Sequence, residues 1–156
     1  MQLHIELTTT PALEDMASLN EGIQQYNRQA VPGIPEVSED LHFAVFARDA
    51  DGHVLGGIRA SAFSGYLCIE LLWLSEVARG CGIESQLVTR AEAFALEHGF
   101  THARVETTSF QARPFHERLG YEVFAILEDC PPGHHSCYLK KNLAGNSSDA
   151  QAAIAG

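Results

Sequence analysis

The sequence predicts a single α/β domain in which one mixed sheet of about six to seven strands is flanked by helices. Three observations carry this prediction. Segments with the two-residue apolar alternation of strands are interspersed with segments of helical periodicity. Asp51-Gly52 separates two apolar strand segments, which is typical of a β-hairpin. A glycine-rich turn, Arg79-Gly80-Cys81-Gly82, stands directly before a helical segment.

The sequence pattern of the first 40 residues predicts one strand and one helix before the hairpin. Leu3 to Thr8 alternates apolar and polar residues, as a strand does. Pro11 begins a helix with an apolar side, and residues 31–40 are irregular because two prolines and a glycine interrupt them. The hairpin covers residues 41–63. A nearly continuous apolar strand follows at residues 65–77, a pattern that indicates a strand covered on both faces.

The second half of the chain alternates helices and strands. The predicted elements are a helix from Ile83 to His98, a strand at 101–108, a short helix at 110–120, and strands at 121–129 and 135–143. The small and polar residues that follow predict a mobile tail at 144–156, so we expect the folded domain to span residues 1–143.

Composition excludes several classes of partner. The formal net charge of −10 would repel a phosphate backbone, so we expect no nucleic-acid partner. This charge would suit a cationic substrate, although many proteins are acidic for solubility alone, which is the commoner explanation. No apolar run approaches about 20 residues, and no basic segment precedes an apolar one at the N-terminus. We therefore expect a cytoplasmic protein with no membrane span, whose four cysteines are free thiols.

The glycine-rich turn has the form of an anion-binding site. Backbone N–H groups at a helix N-terminus lack intrahelical partners, and the helix dipole favours a negative charge there. A Walker loop is excluded because no Gly-Lys-Ser/Thr sequence is present. A dinucleotide fingerprint is disfavoured because Ser85 stands where its third glycine belongs. A turn that uses glycine for geometry alone remains the alternative.

Two motifs identify a family resemblance. The segment LLWLSEVARGCGIESQLV resembles the pyrophosphate-binding motif of the GNAT superfamily, the acetyl-CoA-dependent N-acyltransferases, with Arg79, Gly82 and Glu84 at its pattern positions. The segment SFQARPFHERLGYEV resembles the second family motif. The order of elements from Leu3 to Leu143 is also similar, and it implies a mostly antiparallel GNAT sheet. Glu84 replaces the usual glycine or alanine of the first motif, and His116 replaces the tyrosine that usually acts as general acid in the second.

The resemblance implies that acetyl-CoA is the co-substrate and that no metal is required. Its pyrophosphate would lie on the backbone of the glycine turn, and its pantetheine would run beside the end of the apolar strand. The N–H of Leu74 would then polarise the thioester carbonyl. The implied cofactor-binding residues are Trp73, Leu74, Arg79, Gly80, Cys81, Gly82, Ile83, Glu84, Ser85, Ser109, Ala112 and Phe115.

An attacking amine must lose a proton, and Glu70 is the first candidate for the base. It lies in the apolar strand, which disfavours its charged form. The alternative is that Glu70 pairs with Arg59 or Arg104 on a neighbouring strand. Glu106 is the second candidate, and a chain of water molecules is the third possibility.

The leaving thiolate needs a proton, and His116 could donate it because imidazole titrates near neutrality. The alternative is a surface histidine on an exposed helix face with no role. Tyr138 could then take its place.

The acceptor site is predicted from the loops. Glu36 and Glu39 could attract an amine, or they could belong to a solvated acidic loop. His134 is placed in a loop beside the acceptor pocket. Cys130, His134, His135 and Cys137 do not match a zinc template, because no Cys-x-x-Cys pair is present.

The sequence therefore predicts an N-acetyltransferase that moves the acetyl group of acetyl-CoA to a primary amine of a small molecule, by direct attack in a ternary complex. The family resemblance also implies a homodimer. A peptide lysine or N-terminal acetyltransferase and a CoA-binding regulator without turnover are the alternatives.

Overall fold

Six strands and three α-helices make up residues 3–145, the part of the chain that the computed structural model describes. They are α1 (Leu13–Ala30), β1 (Leu41–Arg48), β2 (Val54–Phe63), β3 (Tyr66–Leu74), α2 (Ile83–Glu97), β4 (His102–Thr108), α3 (Arg113–Arg118), β5 (Glu122–Glu128) and β6 (His135–Asn142). Short 3-10 turns occur at Val37–Glu39 and Glu76–Ala78. Residues 146–156, most of the predicted tail, lie outside the described residues.

The chain divides after Glu36 into two compact units. The first unit contains α1, which begins two residues after Pro11 and ends before Pro32, as the sequence predicts. Glu14 and Asp15 in its first turn and Arg28 in its last turn match the helix dipole. The predicted strand at Leu3 to Thr8 is wrong, because the structure assigns no strand there. Apolar alternation supplies a side-chain pattern but no hydrogen-bonding partner, and all six strands come from residues 41–142.

The second unit contains the sheet, whose strand order is β1-β2-β3-β4-β6-β5. The prediction of a mixed, mostly antiparallel sheet is confirmed: β3 and β4 form a parallel pair, and the other four neighbouring pairs are antiparallel. A parallel pair needs a long crossover, and α2 supplies it. The hairpin of β1 and β2 turns around Asp51-Gly52 as predicted.

The core lies between the sheet and α2. Every second residue of β4 is buried, and α2 packs against β1, β2 and β3. The helix buries Leu87, Val88, Ala91 and Ala95. The prediction that β3 is covered on both faces is wrong for its second half, where Leu71 and Trp73 are 49% and 52% exposed. That half continues beyond the last residue of β3 that pairs with β4.

A buried polar network joins α2 to β6 and to Tyr121, the residue before β5. The Nζ of Lys141 on β6 donates to both carboxylate oxygens of Glu92 on α2, at 3.0 and 2.9 Å. The hydroxyl of Tyr121 donates to the same carboxylate at 2.9 Å. Burial, and then the charge of Glu92, raise the pKa of Tyr121 and keep it protonated. The ion pair is buried, with side-chain exposures of 9% for Lys141 and 13% for Glu92.

We predict that Lys141→Met lowers the free energy of unfolding by about 3 kcal/mol, because it leaves a carboxylate buried without its cation. Arg90→Met is the matched control, since Arg90 forms an exposed ion pair with Glu97 at 3.8 Å and its loss should cost about 1 kcal/mol or less. Urea unfolding of both variants measures the difference. Equal losses would contradict a special role for the buried network.

Candidate active site

The parallel pairing of β3 with β4 is short, and the two strands part where it ends. The register runs from Tyr66 opposite His102 to Ile69 opposite Val105. Beyond that point β3 stays paired with β2 as far as Leu74, while β4 stays paired with β6 as far as Thr108. The β2–β3 ladder shifts register at Glu70, which is the extra residue of a β-bulge. A gap therefore opens between the two strands in the middle of the sheet.

Backbone groups of β3 face this gap. The N–H of Ser75 donates to the carbonyl of Leu55 on β2 at 2.8 Å. Because N–H directions alternate along a strand, Trp73 also faces β2, whereas Leu72 and Leu74 face away from it. The Nε of Arg79 donates to the carbonyl of Leu74 at 3.2 Å, in agreement with this direction. The N–H of the predicted Leu74 thus points to the gap together with that of Leu72, whereas the N–H of the predicted Trp73 points to β2.

A cleft of about 730 Å³ occupies the gap. Its walls are residues 69–72 of β3, residues 105–107 of β4, Arg79, the segment 110–112 and His116. On β4 the buried Val105 and Thr107 alternate with the exposed Glu106, so the cleft is lined from both faces of the sheet. Leu72 and Gln111 were not predicted from sequence. Only the parting of the strands identifies them, and no local motif marks it.

The glycine turn leads into α2 with its backbone accessible. Gly80 and Gly82 both have a φ of +74°, a left-handed conformation that favours glycine. Gly82 is the N-cap of α2 and supplies no side-chain cap, and a Cβ built on either glycine meets no atom within 4 Å. An anion can therefore approach the helix N-terminus closely, beside Arg79. Glu84 is half-buried in the first turn, where its charge competes with such an anion.

The remaining predicted residues of the first motif surround this turn. Cys81 is exposed, Ser85 is half-buried, and Ile83 packs against the core. Their side chains do not line the cleft, and their backbone N–H groups lie in the turn and the first turn of α2.

The second motif forms one wall of the cleft and joins it to the loop before β6. Ala112 lines the cleft, whereas Phe115 packs against the core. The N–H of Ser109 donates to the carbonyl of His135 at 2.8 Å, and its hydroxyl lies 3.4 Å from Nδ1 of His134. His134 stacks edge-on against Phe110, with ring centroids 4.9 Å apart. His134 is therefore not a lining residue of the cleft, but it contacts Phe110, which is one.

His116 is buried in the wall of the cleft with 4% exposure, so its alternative interpretation as a surface histidine is wrong. Burial lowers the pKa of His116 from 6.5 to about 4, and the imidazole is neutral at pH 7. Within residues 3–145 its Nδ1 has no hydrogen-bond partner. The position of the family tyrosine thus holds a neutral imidazole with an unused polar atom.

The two candidate bases differ in their surroundings. The carboxylate of Glu70 accepts from Nε of Arg59 at 2.9 Å, which is the alternative that the sequence left open. The Ser61 hydroxyl and then the Arg59 guanidinium lower the pKa of Glu70, contrary to the expectation of a disfavoured charge. Its side chain is exposed and has a cation beside it, so desolvation does not dominate. Glu106 lines the cleft one residue beyond the last β3–β4 pair and forms no ion pair within the described range.

The two loop candidates, Glu36 and Glu39, precede β1 in the chain. Glu36 forms an ion pair with Arg28 at 3.0 Å within the first unit, and Glu39 belongs to the 3-10 turn before β1.

In the described part of the chain, the only close group of metal-ligand types is Asp49, Asp51 and His53. Asp49 there accepts N–H groups of the hairpin turn. No helix between residues 3 and 145 is long and apolar enough to cross a membrane.

We predict a stability component that depends on pH and belongs to His116. Its pKa is about 4 in the folded protein and near 6.5 when unfolded, so only the unfolded chain takes up a proton in this interval. The free energy of unfolding is therefore highest above pH 6.5 and falls by about 3 kcal/mol as the pH drops to 4. His116→Phe should lose this component. Denaturant titrations from pH 4 to 7 measure it, and parallel profiles for the two proteins would contradict a buried neutral imidazole.

Comparisons with known proteins agree with this geometry. Residues 7–121 match the profile of the family described as "Acetyltransferase (GNAT) family". A blasticidin-S acetyltransferase from Streptomyces morookaense is 40% identical over 102 residues, which are 65% of this chain and 75% of that protein.

Solved structures share the fold. A crystal structure of an acetyltransferase from Bacillus cereus has a TM-score of 0.79 and 26% identity, covering 90% of this chain and 97% of that one. An acetyltransferase structure from Bacillus anthracis, in complex with acetyl coenzyme A, has a TM-score of 0.58 and 18% identity, covering 65% and 62%. This chain belongs to the GNAT family of acetyltransferases and is an acyltransferase enzyme.

Proposed function

We propose that this enzyme transfers the acetyl group of acetyl-CoA to the primary amine of a small molecule, by direct attack in a ternary complex. The observation that carries the proposal is the cleft between β3 and β4, which is lined from both faces of the sheet. Two reactants can therefore meet in it from opposite sides. The similarity to a protein named for acetylation of blasticidin S supports a small-molecule acceptor.

The residues present fit acetyl-CoA. Gly80 and Gly82 leave the backbone at the N-terminus of α2 open to a diphosphate, and Arg79 adds a positive charge beside it. The N–H groups of Leu72 and Leu74 face the gap and can hold an extended pantetheine as an added strand would be held. When bound, acetyl-CoA supplies an acetyl group that is activated as a thioester.

The chain contributes polarisation and proton transfer. An N–H of Leu72 or Leu74 stabilises the negative charge that develops on the carbonyl oxygen. The acceptor nitrogen forms the new C–N bond, the C–S bond breaks, and sulfur keeps the electron pair. Glu106 takes the proton that the nitrogen loses, because its carboxylate lies at the cleft without an ion-pair partner in residues 3–145.

His116 supplies the proton that the departing sulfur takes up. Its neutral imidazole carries one N–H, which can donate to the departing thiolate in the role of the family tyrosine. Tyr138 is the second candidate for donating a proton to the thiolate. Desolvation, and then the neighbouring Glu106, raise the pKa of Tyr138 and keep its phenol protonated.

We retain three expectations that rest on the sequence and the family. They are the extent of the domain (1–143, with a tail at 144–156), a cytoplasmic location and a homodimer. For the dimer, β5 is one of the two edge strands of the sheet, and its Ile126 and Leu127 are about half exposed. An exposed edge strand with apolar side chains favours pairing with a second copy.

The first test combines calorimetric titration of acetyl-CoA with an assay of CoA thiol release against small primary amines and lysine peptides. We expect binding, and thiol release with small amines only. Gly82→Glu should weaken acetyl-CoA binding at least about tenfold, because it puts bulk and negative charge at the helix N-terminus. Gly99→Glu is the matched control, with the same left-handed conformation and open surroundings at the other end of α2.

Equal binding by the two glutamate variants would contradict the proposed diphosphate site. Thiol release with lysine peptides and not with small amines would replace the small-molecule acceptor by a peptide.

The second test concerns the base. We expect Glu106→Gln to lower kcat about 100-fold with acetyl-CoA affinity unchanged, the usual size of a general-base contribution. Glu70→Gln is the matched control on the neighbouring strand, and we expect a loss of less than about tenfold. Steady-state kinetics from pH 5 to 9 measure both. A larger loss in Glu70→Gln would assign the base to Glu70, and small losses in both would assign proton removal to water.

A further inference from the structure

A pocket of aromatic and cationic side chains lies beside the cleft, on the face of the sheet that carries Glu106. Its volume is about 490 Å³. It is lined by Phe63, Ser64, Tyr66, Arg104, Phe124 and Lys140. All six residues belong to the second unit, and none of them is acidic.

Two like charges face each other in this pocket. Arg104 on β4 and Lys140 on β6 are direct cross-strand partners. Like charges directly opposite each other in a sheet are destabilising, whereas opposite charges there are stabilising. Glu122, which is the partner of Lys140 on the β5 side, does not come within ion-pair distance of it. Within residues 3–145, Arg104 and Lys140 are therefore two exposed cations that face each other across the strands and form no ion pair with a carboxylate.

The two cations are held in place by other contacts. The Nε of Arg104 donates to Sγ of Cys68 at 2.9 Å, and its guanidinium lies 5.4 Å from the centre of the Phe63 ring. The Nζ of Lys140 lies 5.7 Å from the centre of the Phe124 ring. Five of the ten Lys and Arg residues form ion pairs, and these two belong to the other five. In a chain with a net charge of −10, two cations without a carboxylate in one pocket indicate a site for an anion.

The pocket and the cleft both adjoin a third, smaller hollow. This hollow of about 200 Å³ shares Arg104 and Phe124 with the pocket. The same hollow shares Ile69, Val105 and Glu106 with the cleft. Arg104 and Glu106 stand two residues apart on one face of β4, which places them roughly 7 Å from each other. One molecule can therefore reach from the proposed base to both cations.

We infer that this pocket binds the far end of the acceptor, and that the acceptor is an amine carrying a carboxylate on a planar apolar frame. The amine lies at Glu106, the carboxylate lies between Arg104 and Lys140, and the frame packs against Phe63 and Phe124. This assignment rests on the proposed function, because it extends the acceptor side of the same site. It accounts for two neighbouring cations without an ion pair, since a bound carboxylate between them can accept hydrogen bonds from both and lowers their mutual repulsion.

The test uses 4-(aminomethyl)benzoate and its uncharged analogue 4-(aminomethyl)benzamide as probes, with binding to the whole protein measured by calorimetry. We expect the acid to bind at least about tenfold more tightly than the amide, because only the acid forms charged hydrogen bonds with the two cations. Arg104→Gln and Lys140→Gln should each remove most of this preference. Arg90→Gln, which removes the same charge from the exposed surface of α2, should retain it.

Each outcome separates this inference from the proposed function. Equal binding of acid and amide, or an equal loss in Arg90→Gln, would overturn the anion site, whatever the transferase activity is. Displacement of the acid by free CoA would assign the cations to the cofactor and would also overturn it. Preferential binding of the acid without thiol release from any amine would support the anion site and contradict the proposed transfer reaction.

Discussion

The parting of β3 from β4 after four paired residues is the constraint on which the site depends. A strand can leave one neighbour only if its other neighbour holds it, and β2 and β6 hold β3 and β4 over their full remaining lengths. The bulge at Glu70 turns β3 away and directs the N–H groups of Leu72 and Leu74 into the gap. The gap thus provides backbone donors and a passage through the sheet at one place.

The buried network of Glu92, Lys141 and Tyr121 connects elements that support the two sides of this gap. It connects α2, which presents the glycine turn, with β6, which supports β4. Tyr121 comes shortly after α3, and its ring lies 5.7 Å from that of His116. The network therefore contacts both α2, whose N-terminus is the proposed diphosphate site, and the surroundings of His116, the proposed proton donor. A charge pair inside the core is weak as a source of stability, but its directional hydrogen bonds fix the relative position of the elements that it joins.

The distribution of charge separates the two sides of the cleft. Arg79 stands at the glycine turn, whereas Arg104 and Lys140 stand on the far side beyond Glu106. Glu106 faces a positively charged pocket on one side and the gap on the other. An acceptor that binds with a carboxylate on the cations delivers its amine to Glu106 in one orientation, so the same charges determine both affinity and direction of attack.

The sequence by itself determined the elements from the hairpin to β6, because their periodicities and turns are local properties. It also determined the two family motifs and the glycine turn. It failed at Leu3 to Thr8, where alternation lacked a pairing partner, and at β3, whose apolar run did not mean burial on both faces. It could not choose between Arg59 and Arg104 as the partner of Glu70, nor find His116 buried, nor bring Arg104 opposite Lys140. Those relations depend on strand register and on the placement of β6 between β4 and β5, and long-range pairing leaves no local pattern in the chain.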